Sequence, residues 1–151
     1  MSCGIALAAA LLAVQPAASV TVPAAAAQNP LAAEPLYARI VQSAGALRAT
    51  AAAWRTSDLK ARATAVPPTG WAEFAQASAA LAELDMQGHR DLAARGFDGD
   101  LKCILKGIAE DLPKKVEAVR AAPTGAAQDT ALSELLYLLD DNVAVVTAPP
   151  A

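Results

Sequence analysis

The sequence predicts an all-α protein, an antiparallel up-down-up-down four-helix bundle over residues 36–147 preceded by a signal peptide over residues 1–27. Three observations lead there. Hydrophobic residues make up 55% of the chain and aromatics only 4%, so its apolar content is chiefly Ala, Leu and Val. Ala and Leu lose little side-chain freedom in a helix, whereas strands favour aromatic and β-branched residues. Four stretches repeat apolar residues at helical spacing. Short segments bearing proline or glycine separate them, and short connections favour antiparallel neighbours.

Residues 1–28 carry no charged side chain, and Gly4 to Val14 form an apolar run. That run has about the length of a signal-peptide core, and small residues with A-x-A character follow at Ala24 to Ala27. It is shorter than the ~20 residues of a comfortable membrane span. Only the amino terminus supplies the positive charge expected ahead of the run. The competing readings are a disordered Ala/Pro-rich tail and an uncleaved anchor. Cleavage near Ala27 places the mature chain in the periplasm or outside the cell, with no transmembrane span of its own.

Residues 28–35, with Pro30 and Pro35, read as an entry segment. Leu36, Ile40, Ala44, Leu47, Ala51 and Trp54 mark the first helix, expected to run to about Ser57 or on to Ala63. Val66-Pro67-Pro68-Thr69-Gly70 breaks it, because proline lacks an amide donor and clashes with the preceding turn. The second helix starts near Trp71 with the stripe Phe74, Ala77, Ser78, Leu81, Leu84, Gly88 and Leu92, and Gly96 is placed to cap its end. Asp98 or Asp100 is positioned to cap the third helix. That helix carries Leu101, Ile104, Leu105, Ile108 and Leu112, continued by Val116 and Val119. At Pro113 a kink is expected, or a new start capped by Asp111. Ala122-Pro123-Thr124-Gly125 is the next break. The last helix, about Ala126 to Val146, packs through Leu132, Leu135, Leu136, Leu139, Val143 and Val146. Residues 148–151 form a proline-bearing tail.

A formal charge of -3, from 12 basic and 15 acidic residues with no basic block, argues against nucleic acid. His89 is the only histidine. The paired Glu-x-x-His motifs of a di-iron bundle, Cys-x-x-Cys-His and a Gly-rich phosphate loop do not occur.

Four features carry candidate chemistry. Asp85 falls on the apolar stripe of the second helix, where a carboxylate needs a partner or a raised pKa. His89, one turn on, is the expected partner. The pair reads as an oriented imidazole for a ligand or a proton, or as a plain rim contact. Cys103, the one cysteine left after cleavage, lies off the stripe of the third helix. It is an exposed thiol available for an intermolecular disulfide, or a small packing residue if that helix is buried on two sides or at a dimer seam. Met86, His89 and Cys103 together would suit Cu(I). Trp54 and Trp71 flank the first turn, as core anchors or as the lining of an apolar ligand site.

The expected function is that of an exported, non-enzymatic structural or interaction module, with a homodimer or an envelope protein as partner and no cofactor. The alternative is a periplasmic binding bundle that holds a metal, haem or small apolar ligand near Asp85 and His89. If copper is the ligand, His89→Ala abolishes its stoichiometric binding in a metal titration; unchanged binding removes this site.

Overall fold

The computed structural model describes residues 29–97 and 99–148. The expected signal peptide, Asp98 and the tail from residue 149 lie outside the described residues. Four α-helices form from the four amphipathic stretches: α1 (Pro35–Trp54), α2 (Trp71–Ala94), α3 (Leu101–Ala121) and α4 (Gly125–Thr147). No strand occurs among the described residues, and no helix there is long and apolar enough to cross a membrane.

One core joins them. Tyr37, Ile40, Ala44, Leu47 and Ala51 of α1 meet Phe74, Leu81 and Leu92 of α2. Leu105, Leu112, Val116 and Val119 of α3 and Leu132, Leu135, Leu139 and Val146 of α4 complete it. Each helix packs against the next and α1 against α4, with α2 and α3 sharing the most extensive seam.

Several ends follow their local chemistry. Asn29 accepts a hydrogen bond from the Leu31 amide at 3.1 Å and opens a 3-10 turn over Pro30–Ala33. Thr124 accepts one from the Ala127 amide at 3.2 Å, the side-chain cap that satisfies a free donor at the start of α4. Gly96 closes α2 at φ +67°, a left-handed conformation that costs glycine little.

The structure departs from the expected end of the first helix, from a new helical start at Pro113 and from a side-chain cap by Asp100. The first helix stops at Trp54, short of Ser57 and Ala63. Arg55 leaves the helical conformation at φ -81°, ψ 70° and reaches Asp129 on α4. A separate 3-10 turn, Leu59–Ala61, then turns Leu59 into the core. Pro113 starts no new helix: α3 runs through it. The bond lost at Pro113 is outweighed because buried Leu112 and Val116 tie both sides to the same core. Asp111 does not cap there and instead accepts from Lys114 at 2.8 Å. The Asp100 side chain makes no capping bond. Its carbonyl alone accepts, from the Cys103 and Ile104 amides at 2.9 and 3.0 Å.

The Leu59–Ala61 turn is clamped onto the start of α4. The Gly125 amide donates to the Arg62 carbonyl at 3.0 Å, and the Ala65 amide to the Pro123 carbonyl at 3.2 Å. A Cβ on Gly125 would stand 1.9 Å from the Leu59 carbonyl oxygen, a backbone atom that cannot swing aside. Gly125→Ala is therefore expected to destabilise the fold by about 1–3 kcal/mol, the usual cost of overpacking. Denaturant unfolding measures it, and a variant as stable as the wild type would refute the clamp.

Candidate functional site

Asp85 and Asn142 meet in the middle of the bundle, both with 0% exposure. Asp85 sits on the α2 stripe between Leu81 and Leu92, and Asn142 on α4 between Leu139 and Val146. The Asn142 Nδ2 donates to Asp85 Oδ2 at 2.8 Å. The other oxygens, Asp85 Oδ1 and Asn142 Oδ1, are buried without a hydrogen-bond partner. Burial pushes the Asp85 carboxyl up to about 7, and the bond from Asn142 only partly opposes this.

The expected Asp85–His89 contact does not form. The buried partner of Asp85 comes from α4, whereas His89 turns towards α3. Its Nδ1 lies 2.7 Å from the Lys102 carbonyl oxygen, so Nδ1 carries the proton and donates. The reason is position: Asp85 faces the centre, and one further turn brings His89 to the α2–α3 junction, where a main-chain carbonyl is within reach. Met86 is half-buried beside Asp85 in sequence, and Cys103 is exposed. Among the described residues, no three His, Cys, Asp or Glu side chains group in a way that would hold a metal ion.

Beside Asp85 the packing is close. A Cβ on Gly88 would stand 3.0 Å from Leu105, 3.3 Å from Ile40 and 3.4 Å from Tyr37. Tyr37, fully buried, donates its hydroxyl to Asp91 Oδ2 at 2.8 Å, with the Gly88 carbonyl at 3.4 Å. Burial and the Asp91 bond hold the Tyr37 phenol above its usual range. The bonds from Tyr37 and Arg95 hold the Asp91 carboxyl below its own. Arg95 also reaches both oxygens of Glu34, at 2.9 and 3.1 Å. At the opposite end, Arg55 binds both oxygens of Asp129 at 2.7 and 3.0 Å, and this bond keeps the Asp129 carboxyl low.

Trp54, Trp71 and Phe74 cluster where α1 gives way to α2. Ring centroids lie 4.6 Å apart for Trp54–Phe74, 5.8 Å for Trp54–Trp71 and 5.9 Å for Trp71–Phe74, the range of favourable ring pairs. Next to them, an open groove of about 420 Å³ runs between α1 and α2. Leu47 and Phe74 are its buried apolar members, and Ser43, Ala46, Thr50, Ala77 and Ala80 line it with small side chains.

Asn142, Tyr37 and Asp129 were missed in the sequence. Asn142 had a usable signal: with Leu135, Leu139 and Val146 it repeats at three- and four-residue spacing on one face of α4. Counting only apolar residues conceals it.

No protein-family model, no curated protein and no solved structure matches this chain.

The exposure of Cys103 has a direct consequence. A maleimide should label it in the native protein at a rate close to that in denaturant, as peptide mapping by mass spectrometry would show. Protection by an order of magnitude or more would contradict the exposed thiol.

Proposed function

We propose that this chain is a small exported bundle that works as a structural or interaction module without catalytic chemistry of its own, and that its working surface is the α1–α2 face. The groove between those helices carries the reading. Small side chains at Ser43, Ala46 and Thr50 of α1 and at Ala77 and Ala80 of α2 let another helix approach closely. Charge on this face is sparse, with Arg48 the only ionised residue of α1 after Arg39 and Glu73 the only one in the first half of α2. Burial of apolar surface drives association where little charge has to be desolvated.

The proposed topology is antiparallel, up-down-up-down. Contacts at both ends of the helices support it: the Asn29 amide bonds the Thr147 carbonyl at 3.3 Å, Tyr37 near the start of α1 meets Asp91 near the end of α2, and Arg55 after α1 meets Asp129 near the start of α4. The uncharged, apolar character of residues 1–28 supports export to the periplasm or the exterior. There the exposed Cys103 thiol is open to an intermolecular disulfide.

The first occupant to test is a second copy. Sedimentation equilibrium is expected to show a concentration-dependent dimer under reducing conditions. Ala77→Arg, at an exposed position in the groove, should return it to monomer with its helix content unchanged in circular dichroism. A monomer whose groove takes up an apolar dye would favour the other reading, a bundle that binds a small apolar ligand. That ligand would lie in the α1–α2 groove rather than near Asp85 and His89, where side chains already fill the space around Gly88. A monomer that takes up no dye would remove the groove from both readings.

A further inference from the structure

The two oxygens left over at the centre of the bundle belong to one pair of side chains. Asn142 uses an amide hydrogen on Asp85 Oδ2 at 2.8 Å, and Asp85 Oδ1 and Asn142 Oδ1 are the buried atoms without partners. A carboxyl and a carboxamide are planar forks of the same size. With one arm of such a pair bonded, bringing the two planes into line sets the other arms against each other. With an ionised carboxylate, both facing oxygens are acceptors and neither is satisfied. A buried acceptor without a donor is costly, and a buried unpaired charge more so. One proton on the Asp85 carboxyl satisfies both atoms.

We infer that Asp85 stands in the folded bundle as a neutral carboxylic acid that donates its Oδ1 proton to Oδ1 of Asn142, closing a two-hydrogen-bond ring which latches α2 to α4 and which opens when the proton is lost to solvent. The ring spans the core between two helices that are not packing neighbours, since the helices that α2 contacts are α1 and α3, and α4 likewise contacts α1 and α3 but not α2. The latch is thus a proton-operated element in the fold.

The surroundings leave the proton as the available compensation. From α1 the one buried ionisable group is Tyr37, and its hydroxyl is committed to Asp91 and the Gly88 carbonyl. The buried residues of α3 are Leu105, Ile108, Ala109, Leu112, Val116 and Val119, none of them ionisable. From α4, Asp129 is bound by Arg55, Asp140 is exposed and pairs with Arg48, and Asp141 is half-buried. On α2 itself Glu83 is exposed, His89 bonds the Lys102 carbonyl, and Asp91 is engaged by Tyr37 and Arg95. Among the described residues no cation pairs with Asp85, and the raised carboxyl of this residue agrees with that.

An unfolded Asp85 releases its proton near the ordinary carboxylate value of about 3.9, while the folded one keeps it to about 7. Between those values the native state binds more protons than the unfolded state, so stability contributed by the latch is full below about pH 4, falls as pH rises, and levels off above the folded value. Each unit of difference is a tenfold fall in the folding equilibrium constant.

Urea unfolding of the wild type and of Asp85→Asn from about pH 4 to pH 9 tests this. An amide at position 85 can close the same ring with Asn142 and cannot ionise. The wild-type folding constant should fall at least tenfold more than that of Asp85→Asn across this range, and the variant should be the more stable at the alkaline end. Parallel pH profiles would overturn the proposal. Infrared spectroscopy of the wild type gives an independent readout should the variant fail to fold. A carboxylic-acid carbonyl band should be present at pH 6 and lost at pH 9, and its absence at pH 6 would also refute the latch.

Discussion

The contact on which this bundle turns is the hydrogen bond between Asp85 and Asn142. Both side chains are sealed from solvent, and they join helices whose backbones are not neighbours. Buried polar pairs are weak sources of stability compared with apolar residues of similar volume, because desolvation of polar groups offsets much of what their bond contributes. What apolar side chains do not supply is direction. A Leu stripe slides by a turn with modest loss, whereas moving α4 by one turn would bring Val146 or Leu139 opposite Asp85 and leave a carboxyl buried in hydrocarbon. The polar pair therefore favours one register of α2 against α4, in the way a single buried Asn sets register in a coiled coil.

The neighbouring layers are built to the same register. Gly88 lies three residues after Asp85, and its missing side chain admits Leu105, Ile40 and the ring of Tyr37. That position lets the Tyr37 hydroxyl reach Asp91, and Asp91 in turn orients Arg95 towards Glu34. At the other end, the stop at Trp54 frees Arg55 to bind Asp129 and sends Leu59 into the core over the start of α4. Most of the remaining ion pairs, such as Lys106–Glu110 and Lys114–Asp111, are exposed and contribute little. The fixed points are the buried polar contacts and the close approach at Gly125.

These fixed points also bear on the proposed role. Hydrogen bonds hold the two ends of α1 to α2 and α4, yet between them the α1–α2 seam opens into a groove lined with Ala, Ser and Thr. Small side chains there contribute little to the core of a single bundle, and they suit a surface that another helix is to cover. A rigid centre with a thinly packed face is a coherent design for a module that works by contact.

Much of the architecture was legible in the chain. The four helices, the proline- and glycine-bearing segments that separate them, and the place of Asp85 on the inner stripe of the second helix follow from helical periodicity and from the backbone chemistry of proline and glycine, which are local properties. The sequence could place Asp85 on the inner face and require that it have a partner. It could not say which partner, because residues 85 and 142 are 57 positions apart, and helical spacing offered the nearer His89 instead. The early stop of α1, the continuity of α3 through Pro113, the exposure of Cys103 and the demand for glycine at 125 were likewise decided only in the tertiary structure. Each depends on what a second segment of the chain places against the first, and local periodicity carries no information about that.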